Sequence, residues 1–159
     1  MSSSVFFQED VSHSQIKQLK KAAIDTPLKR SRICLHKDTD DPIQEMVITL
    51  CENSYVAPHR NQGKDKSYHI IDGELLVVFF DETGQLINKV ELGTCESGKT
   101  FLYRFDAALW HTVISLTESV CYKETVAGPF VKSEEELADW APCFDDEIDG
   151  NLFMKTLKT

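Results

Sequence analysis

Near the start of the chain the apolar positions follow a helical spacing. Ile16, Leu19 and Ala23 recur on one face of the stretch from Val11 to Ala23, with Ser12 or Ser14 available to cap its start. This predicts a short amphipathic helix, ended by Thr26-Pro27 because the residue before a proline is driven out of the helical region. From Arg32 the period becomes that of a strand: Ile33 and Leu35 point one way, while Arg32, Cys34 and His36 point the other. Further strand-like runs follow at regular spacing, from Gln44 to Cys51, Ser54 to Pro58, Ser67 to Ile71, Glu74 to Phe80, Gln85 to Leu92, Thr100 to Phe105, Leu109 to Leu116 and Ser119 to Thr125. Polar turns punctuate them, among them Asp38 to Pro42, a hairpin signal at Asp72-Gly73, Asp81 to Gly84, and Gly93 to Gly98. The nearly continuous Leu-Leu-Val-Val-Phe-Phe ending at Phe80 marks a central strand. About nine short strands separated by turns describe an all-β sandwich or barrel.

Beyond Gly128-Pro129-Phe130 the chain turns acidic, with Glu134 to Glu136 and Asp145 to Glu147 flanking Trp140-Ala141-Pro142. The Trp140 segment reads as a lid or buttress on the barrel, and Asn151 to Thr159 as loosely held. This divides the single domain into an N-terminal helical extension (1–29), a barrel (30–130) and a C-terminal acidic extension packing on it (131–159).

Composition narrows the function classes. With 159 residues, 42% of them apolar and 27% charged, the chain is an ordinary globular domain with no apolar stretch of membrane-span length. Its start lacks the basic flank and apolar run of a secretory signal, so a cytoplasmic location is expected. A net charge of −9 speaks against nucleic acid and anionic membranes as partners, since both need clustered cations. The basic runs Lys17 to Lys21 and Lys29 to Arg32 read as a solvated helix face and the flank of a strand. Cys34, Cys51, Cys95, Cys121 and Cys143 are widely spaced without a Cys-x-x-Cys, which suggests neither a disulfide framework nor a thiolate zinc site.

Candidate chemistry gathers in two stretches, Ser54 to Gly73 and Leu109 to Val113. An isolated histidine is more often structural than a ligand, and His13 is read that way. His59 and His111 each sit at a strand edge beside bulky apolar residues, and neutral imidazole is a common ligand of zinc, iron, manganese or nickel. His59, His69 and His111, backed by Asn61, Asp65 and Lys66, converge only if a barrel brings the two stretches together.

The motifs resemble those of a cupin. Pro58-His59-Arg60-Asn61 and Lys66 to Gly73 stand where the first cupin motif has His-x-His, a Glu and an aromatic-aliphatic run ending in Gly. Asp106 to His111 stands where the second has Pro-x-Gly-x-x-His. Together with Asp41 to Met46, Gly128-Pro129-Phe130 and Trp140-Ala141-Pro142, these runs resemble the WbuC family of cupin-fold metalloproteins over roughly residues 30 to 143. The resemblance implies a single cupin, a double-stranded β-helix or jelly-roll barrel, with a small-molecule pocket inside. It also implies a setting near bacterial surface-polysaccharide biosynthesis, a homodimer, and a divalent transition metal (Zn, Mn, Fe or Ni) held by His59 and His111 with His69 as a further ligand. The long apolar strand from Glu74 to Phe80 would supply an edge or face for pairing.

Two departures bear on the metal. Asn61 stands for the second histidine, and Lys66 for the glutamate, which replaces an anion by a cation. Strand alternation puts Lys66, Tyr68 and Ile70 on the cavity face and turns His69 away, unless a bulge reverses it. Several functions stay open. One is a metal-dependent cupin acting on a small polar molecule such as a sugar or sugar-nucleotide derivative, the metal serving as Lewis acid and Lys66 or Tyr68 moving protons. There Tyr103 and Trp110 would form apolar walls, with His36 and Gln44 as further pocket residues. Another is a metal-free binding module in which Lys66 and Arg60 clamp an anion. A cofactor-free isomerase or epimerase ranks below both, because His69 and Tyr68 face opposite sides. A purely structural role would need every imidazole in the interior satisfied.

Overall fold

The computed structural model describes residues 4–159. It is an all-β barrel of two facing sheets, with one helix near the start of the chain and another at its end. The first helix, α1 (His13–Asp25), is capped by Ser12, whose hydroxyl accepts from the Gln15 amide while the Gln15 side chain returns to the Ser12 amide. Thr26, extended at ψ 150°, closes it before Pro27. Ile16, Leu19 and Ala23 are buried as the spacing predicts, and Ile16 and Leu19 pack against Ile33, Val47 and Cys121 on the outside of one sheet.

That sheet runs β1 (Ser4–Phe7), β2 (Arg30–Cys34), β3 (Ile43–Cys51), β10 (Ser119–Ala127), β5 (Asp65–Asp72) and β8 (Leu102–Asp106). Facing it are β11 (Glu135–Leu137), β4 (His59–Asn61), β9 (Trp110–Ser115), β6 (Leu75–Phe80) and β7 (Leu86–Leu92). Among the strands of the described residues, β1, parallel to β2, is the one that departs from antiparallel pairing. Between the sheets lies a core that includes Leu50, Tyr68, Leu75, Val77, Phe79, Phe105 and Val113.

Several expectations change. Asp72-Gly73 is no hairpin, for β5 and β6 belong to different sheets, and the turn carries the chain across the barrel. Gly73 is required there twice over: its φ is +79°, and a Cβ would lie 2.5 Å from the Ser119 carbonyl oxygen. The predicted strand from Ser54 to Pro58 is irregular, and pairing begins only at His59. Pro58 lacks an amide to give to a ladder, and its carbonyl accepts instead from Ala138. Strand β6 is flanked by β9 and β7, so it offers no edge for a second copy. Both its faces are covered from within the chain: Leu76, Val78 and Phe80 meet Tyr55, Ala57, Met154 and Leu157 on the outside. That double burial is why its sequence shows no alternation.

The C-terminal residues are held by a helix, α2 (Glu147–Lys158), which buries Gly150, Met154 and Leu157. Phe153, Met154 and Leu157 stand at helical spacing, but the acidic flank and Gly150 obscured the pattern. Trp140 is the expected buttress, packing on Phe80 and Trp110 with ring centroids 5.0 and 6.0 Å apart. Gly150 lies against Tyr55, where a Cβ would meet the ring at 2.3 Å. Replacing a helical glycine by alanine ordinarily gains about 1 kcal/mol. Gly150→Ala should instead lose about 1 to 3 kcal/mol to overpacking, read as a lower urea midpoint at unchanged slope; a raised midpoint would show that α2 does not dock on Tyr55.

Candidate functional site

Two imidazoles and an ammonium meet inside the barrel. His59 and His111 are directly paired across β4 and β9, which puts their rings side by side with centroids 4.5 Å apart. The Nδ1 of His59 lies 3.0 Å from the Ala57 carbonyl oxygen, and that of His111 lies 2.7 Å from that of Leu109. A carbonyl only accepts, so each ring carries its proton on Nδ1 and turns an Nε2 lone pair inward.

Lys66 comes from the opposite sheet. Alternation along β5 aims Lys66, Tyr68 and Ile70 inward and leaves His69 exposed on the outer face. The Lys66 Nζ lies 3.2 Å from His59 Nε2, 3.4 Å from His111 Nε2 and 3.4 Å from the Glu124 carboxylate on β10. An ammonium has three N–H donors and here meets three acceptors. Burial, then the Lys66 charge, holds the pKa of His59 well below its usual value and lowers that of His111 to about 3. Both rings are therefore neutral near pH 7. Burial followed by the Glu124 charge pushes the Tyr68 and Tyr122 phenols well above their usual range, so both remain protonated donors.

The turn before His111 keeps its shape without proline or glycine. The Asp106 carboxylate accepts from the Ala108 amide at 2.8 Å, and the buried Ala107 bonds through its amide to Lys64 and through its carbonyl to Asn61. These bonds tie the His111 turn to the loop after His59.

A cavity of about 410 Å³ opens over this cluster, of a size for a small organic ligand. His59, Asn61, Lys66, Tyr68, Tyr122 and Glu124 line it. Gln44 also lines it, but its amide nitrogen is engaged by the carbonyls of Asp38 and Asp41 at 3.0 and 2.9 Å, so it fixes a loop. The remaining candidates lie elsewhere. Arg60 stacks over Trp110 at 4.3 Å and pairs with Glu82 and Glu136, each at 2.8 Å, on the outside of β4 and β9. Trp110 packs in the outer cluster with Phe80 and Ala138. Tyr103 stacks on Phe105 beside Phe79 in the barrel core and does not reach the cavity lining. The Nδ1 of His36 is engaged with the backbone of Glu45. Sequence reasoning missed Arg30 and Arg32, whose spacing of two along β2 puts both on the cavity side.

Does this donor set fit a divalent metal? Among the described residues no group of three His, Cys, Asp or Glu side chains is placed to hold one. The point on which the two Nε2 lone pairs converge is taken by a cation of the chain itself, and His69 is on the wrong face to help. While Lys66 is protonated there, the residues do not fit a metal ion.

The family model described as "Domain of unknown function (DUF6016)" matches residues 11–92. The chain belongs to the DUF6016 family. Among solved structures this DUF6016 chain is similar to CapF, crystallised with the inhibitor 3-isopropenyl-tropolone, with a TM-score of 0.56, 14% identity, and coverage of 67% of this chain and 31% of that one. It is also similar to protein SO0799 from Shewanella oneidensis, with a TM-score of 0.53, 14% identity, and coverage of 62% and 63%. Oxalate decarboxylase from Bacillus subtilis aligns less closely, with a TM-score of 0.49, 18% identity, and coverage of 60% and 24%. The chain thus spans less than two thirds of each. No curated protein matches its sequence. The two-sheet architecture, with the likeness to CapF and SO0799, gives the DUF6016 chain a single jelly-roll barrel fold of the cupin type, and at such identities the likeness concerns the fold alone. No helix among the described residues is long and apolar enough to cross a membrane.

The depressed imidazole pKa values set a pH dependence. The unfolded chain takes up protons on these histidines below about pH 6.5 while the folded chain does not, so stability is lost as the pH is lowered through that range. The expected slope between about pH 6.5 and 5 reaches roughly 1.4 kcal/mol per pH unit for each histidine. Urea midpoints at a series of pH values check it. A flat profile, or one unchanged in His59→Asn/His111→Asn, would show that the rings are not buried as neutral groups.

Proposed function

We propose that this barrel is a metal-independent cupin that binds a small anionic molecule, with Lys66 as a built-in cation where a cupin of the WbuC type would hold its metal. The observation that carries the reading is the Lys66 ammonium seated on two imidazole lone pairs and one carboxylate. Such a centre is complete without an added ion, for Lys66 and Glu124 cancel in charge and the histidines are neutral. In this reading the N–H bonds of Lys66 stay with their three acceptors, and Tyr68 offers an O–H donor to the cavity floor, to which Asn61 adds an amide. Arg60, held by two glutamates outside the barrel, leaves the anion to Arg30 and Arg32 at the mouth.

The metal-dependent alternative, with zinc, manganese, iron or nickel on His59 and His111, requires Lys66 to leave its three partners, and that would leave the Glu124 carboxylate without its cation. The WbuC-like runs favour a ligand from surface-polysaccharide chemistry, such as a phosphorylated sugar or sugar nucleotide. They also keep a homodimer in view, formed through surfaces other than β6.

Metal analysis separates these readings. Purified wild-type protein should hold less than about a tenth of an equivalent of transition metal and gain no thermal stability from added Zn, Mn, Fe or Ni ions. Lys66→Glu, which turns the central cation into a ligand beside His59 and His111, should bind about one equivalent of Co²⁺ with visible ligand-field bands. About one equivalent in the wild type, lost to a chelator together with several degrees of stability, would defeat the proposal.

A further inference from the structure

The charged residues lining the cavity are unevenly balanced: Arg30, Arg32, Lys64, Lys66 and Lys132 stand against Glu124 and Glu135, in a chain whose net charge is −9. Some of these cations are already engaged. Lys66 has Glu124 and the imidazoles, and Lys64 donates to the Pro129 carbonyl at 2.6 Å with Glu134 at 3.5 Å.

The arginines differ. Ion pairs among the described residues involve Arg60 and Arg104 but neither Arg30 nor Arg32. Arg30 is half-buried and makes one long hydrogen bond, at 3.3 Å, to the Tyr55 carbonyl. Burial pulls its pKa below the usual value. A guanidinium has five N–H donors, so most of those on Arg30 remain open.

Arg30 and Arg32 share one face of β2, opposite Leu50 and Ile48 of β3, which also line the cavity. Ser31 between them turns outward and donates to the Leu19 carbonyl at 2.7 Å, which fixes the direction of its neighbours. The other side of the mouth is apolar. Phe130, Leu137 and Phe144 line the cavity while remaining 41%, 50% and 44% exposed. One opening therefore joins paired planar donors suited to a two-oxygen anion with uncovered apolar and aromatic surface.

We propose that the cavity takes an oxyanion, a carboxylate or a phosphate, joined to a flat apolar body, with the anionic group on Arg30 and Arg32 and the body against Phe130, Leu137 and Phe144. This rests on the reading of the barrel as a binding cavity and names the class of its ligand.

The test is titration calorimetry of the full chain with 1-naphthoate and 1-naphthyl phosphate, using 1-naphthol and inorganic phosphate as controls. Either naphthyl anion should bind at least about tenfold more tightly than both controls. The double variant Arg30→Gln/Arg32→Ala should weaken that binding by at least about tenfold, and Phe144→Ser by about threefold, with thermal midpoints confirming that each variant is folded. Binding of 1-naphthol as tight as that of the anions would overturn the proposal and leave the barrel reading standing. So would inorganic phosphate binding as tightly, or a double variant within about twofold of wild type. No binding by any of the probes to folded wild-type protein would remove the ligand class and the anion-binding reading together; metal found in the wild type would remove the metal-independent reading without touching this one.

Discussion

A buried ammonium is tolerated only when each of its N–H bonds finds an acceptor, because an unpaired charge in a protein interior costs several kcal/mol. The arrangement at the centre of this barrel answers that constraint for Lys66. Strand β5 delivers the cation from one sheet, β4 and β9 deliver paired imidazoles from the other, and β10 supplies the carboxylate. Each imidazole is an acceptor only because its Nδ1 proton is committed to a carbonyl two residues earlier in its own chain segment. The local backbone after Ala57 and Leu109 thus sets the tautomer, and the tautomer sets what the centre can hold.

The outer layers serve the same end. Strand β6 lies in register against β9 and places Phe79 beside His111, so the imidazoles stand on a fully packed strand. That strand is covered in turn by Tyr55, by α2 and by the segment bearing Trp140. The acidic tail is therefore the second cover of the sheet that carries the histidines. On the opposite side α1 covers the sheet that carries Lys66 and Glu124, through Leu19 and Ile16 on Ile33 and Val47. Neither sheet turns its whole outer face to water.

Much of the fold could be read from hydrophobic period. Most strands from Gln44 onward, though not the one expected over Ser54 to Pro58, and the helix ending before Pro27 followed from hydrophobic period, while the convergence of His59 with His111 followed from the cupin-like motifs. The cavity-facing placement of Lys66 and Tyr68 was legible too, since it needs only a period of two along β5. Other features were not, for identifiable reasons. Glu135–Leu137 forms a strand because it can pair with β4, a partnership that a run of glutamates does not advertise. Asp72-Gly73 has the chemistry of a hairpin yet crosses between sheets, because turn residues specify a local φ and not the partner of the next strand. Arg60 looks like a clamp in sequence, but Glu82 and Glu136 come to it from positions far along the chain. The contact between Lys66 and the imidazoles was hidden for a similar reason: a lysine in a ligand position reads as a loss until its acceptors are seen.

Nitrogen NMR of labelled protein near neutral pH shows whether a protonated lysine sits on two neutral imidazoles. His59 and His111 should each carry a single proton on Nδ1 and an unprotonated Nε2, and the Lys66 ammonium should give a slowly exchanging signal absent from Lys66→Met. A proton on Nε2 of either ring, an imidazolium at that pH, or a Lys66 ammonium exchanging as fast as those on the surface would contradict it.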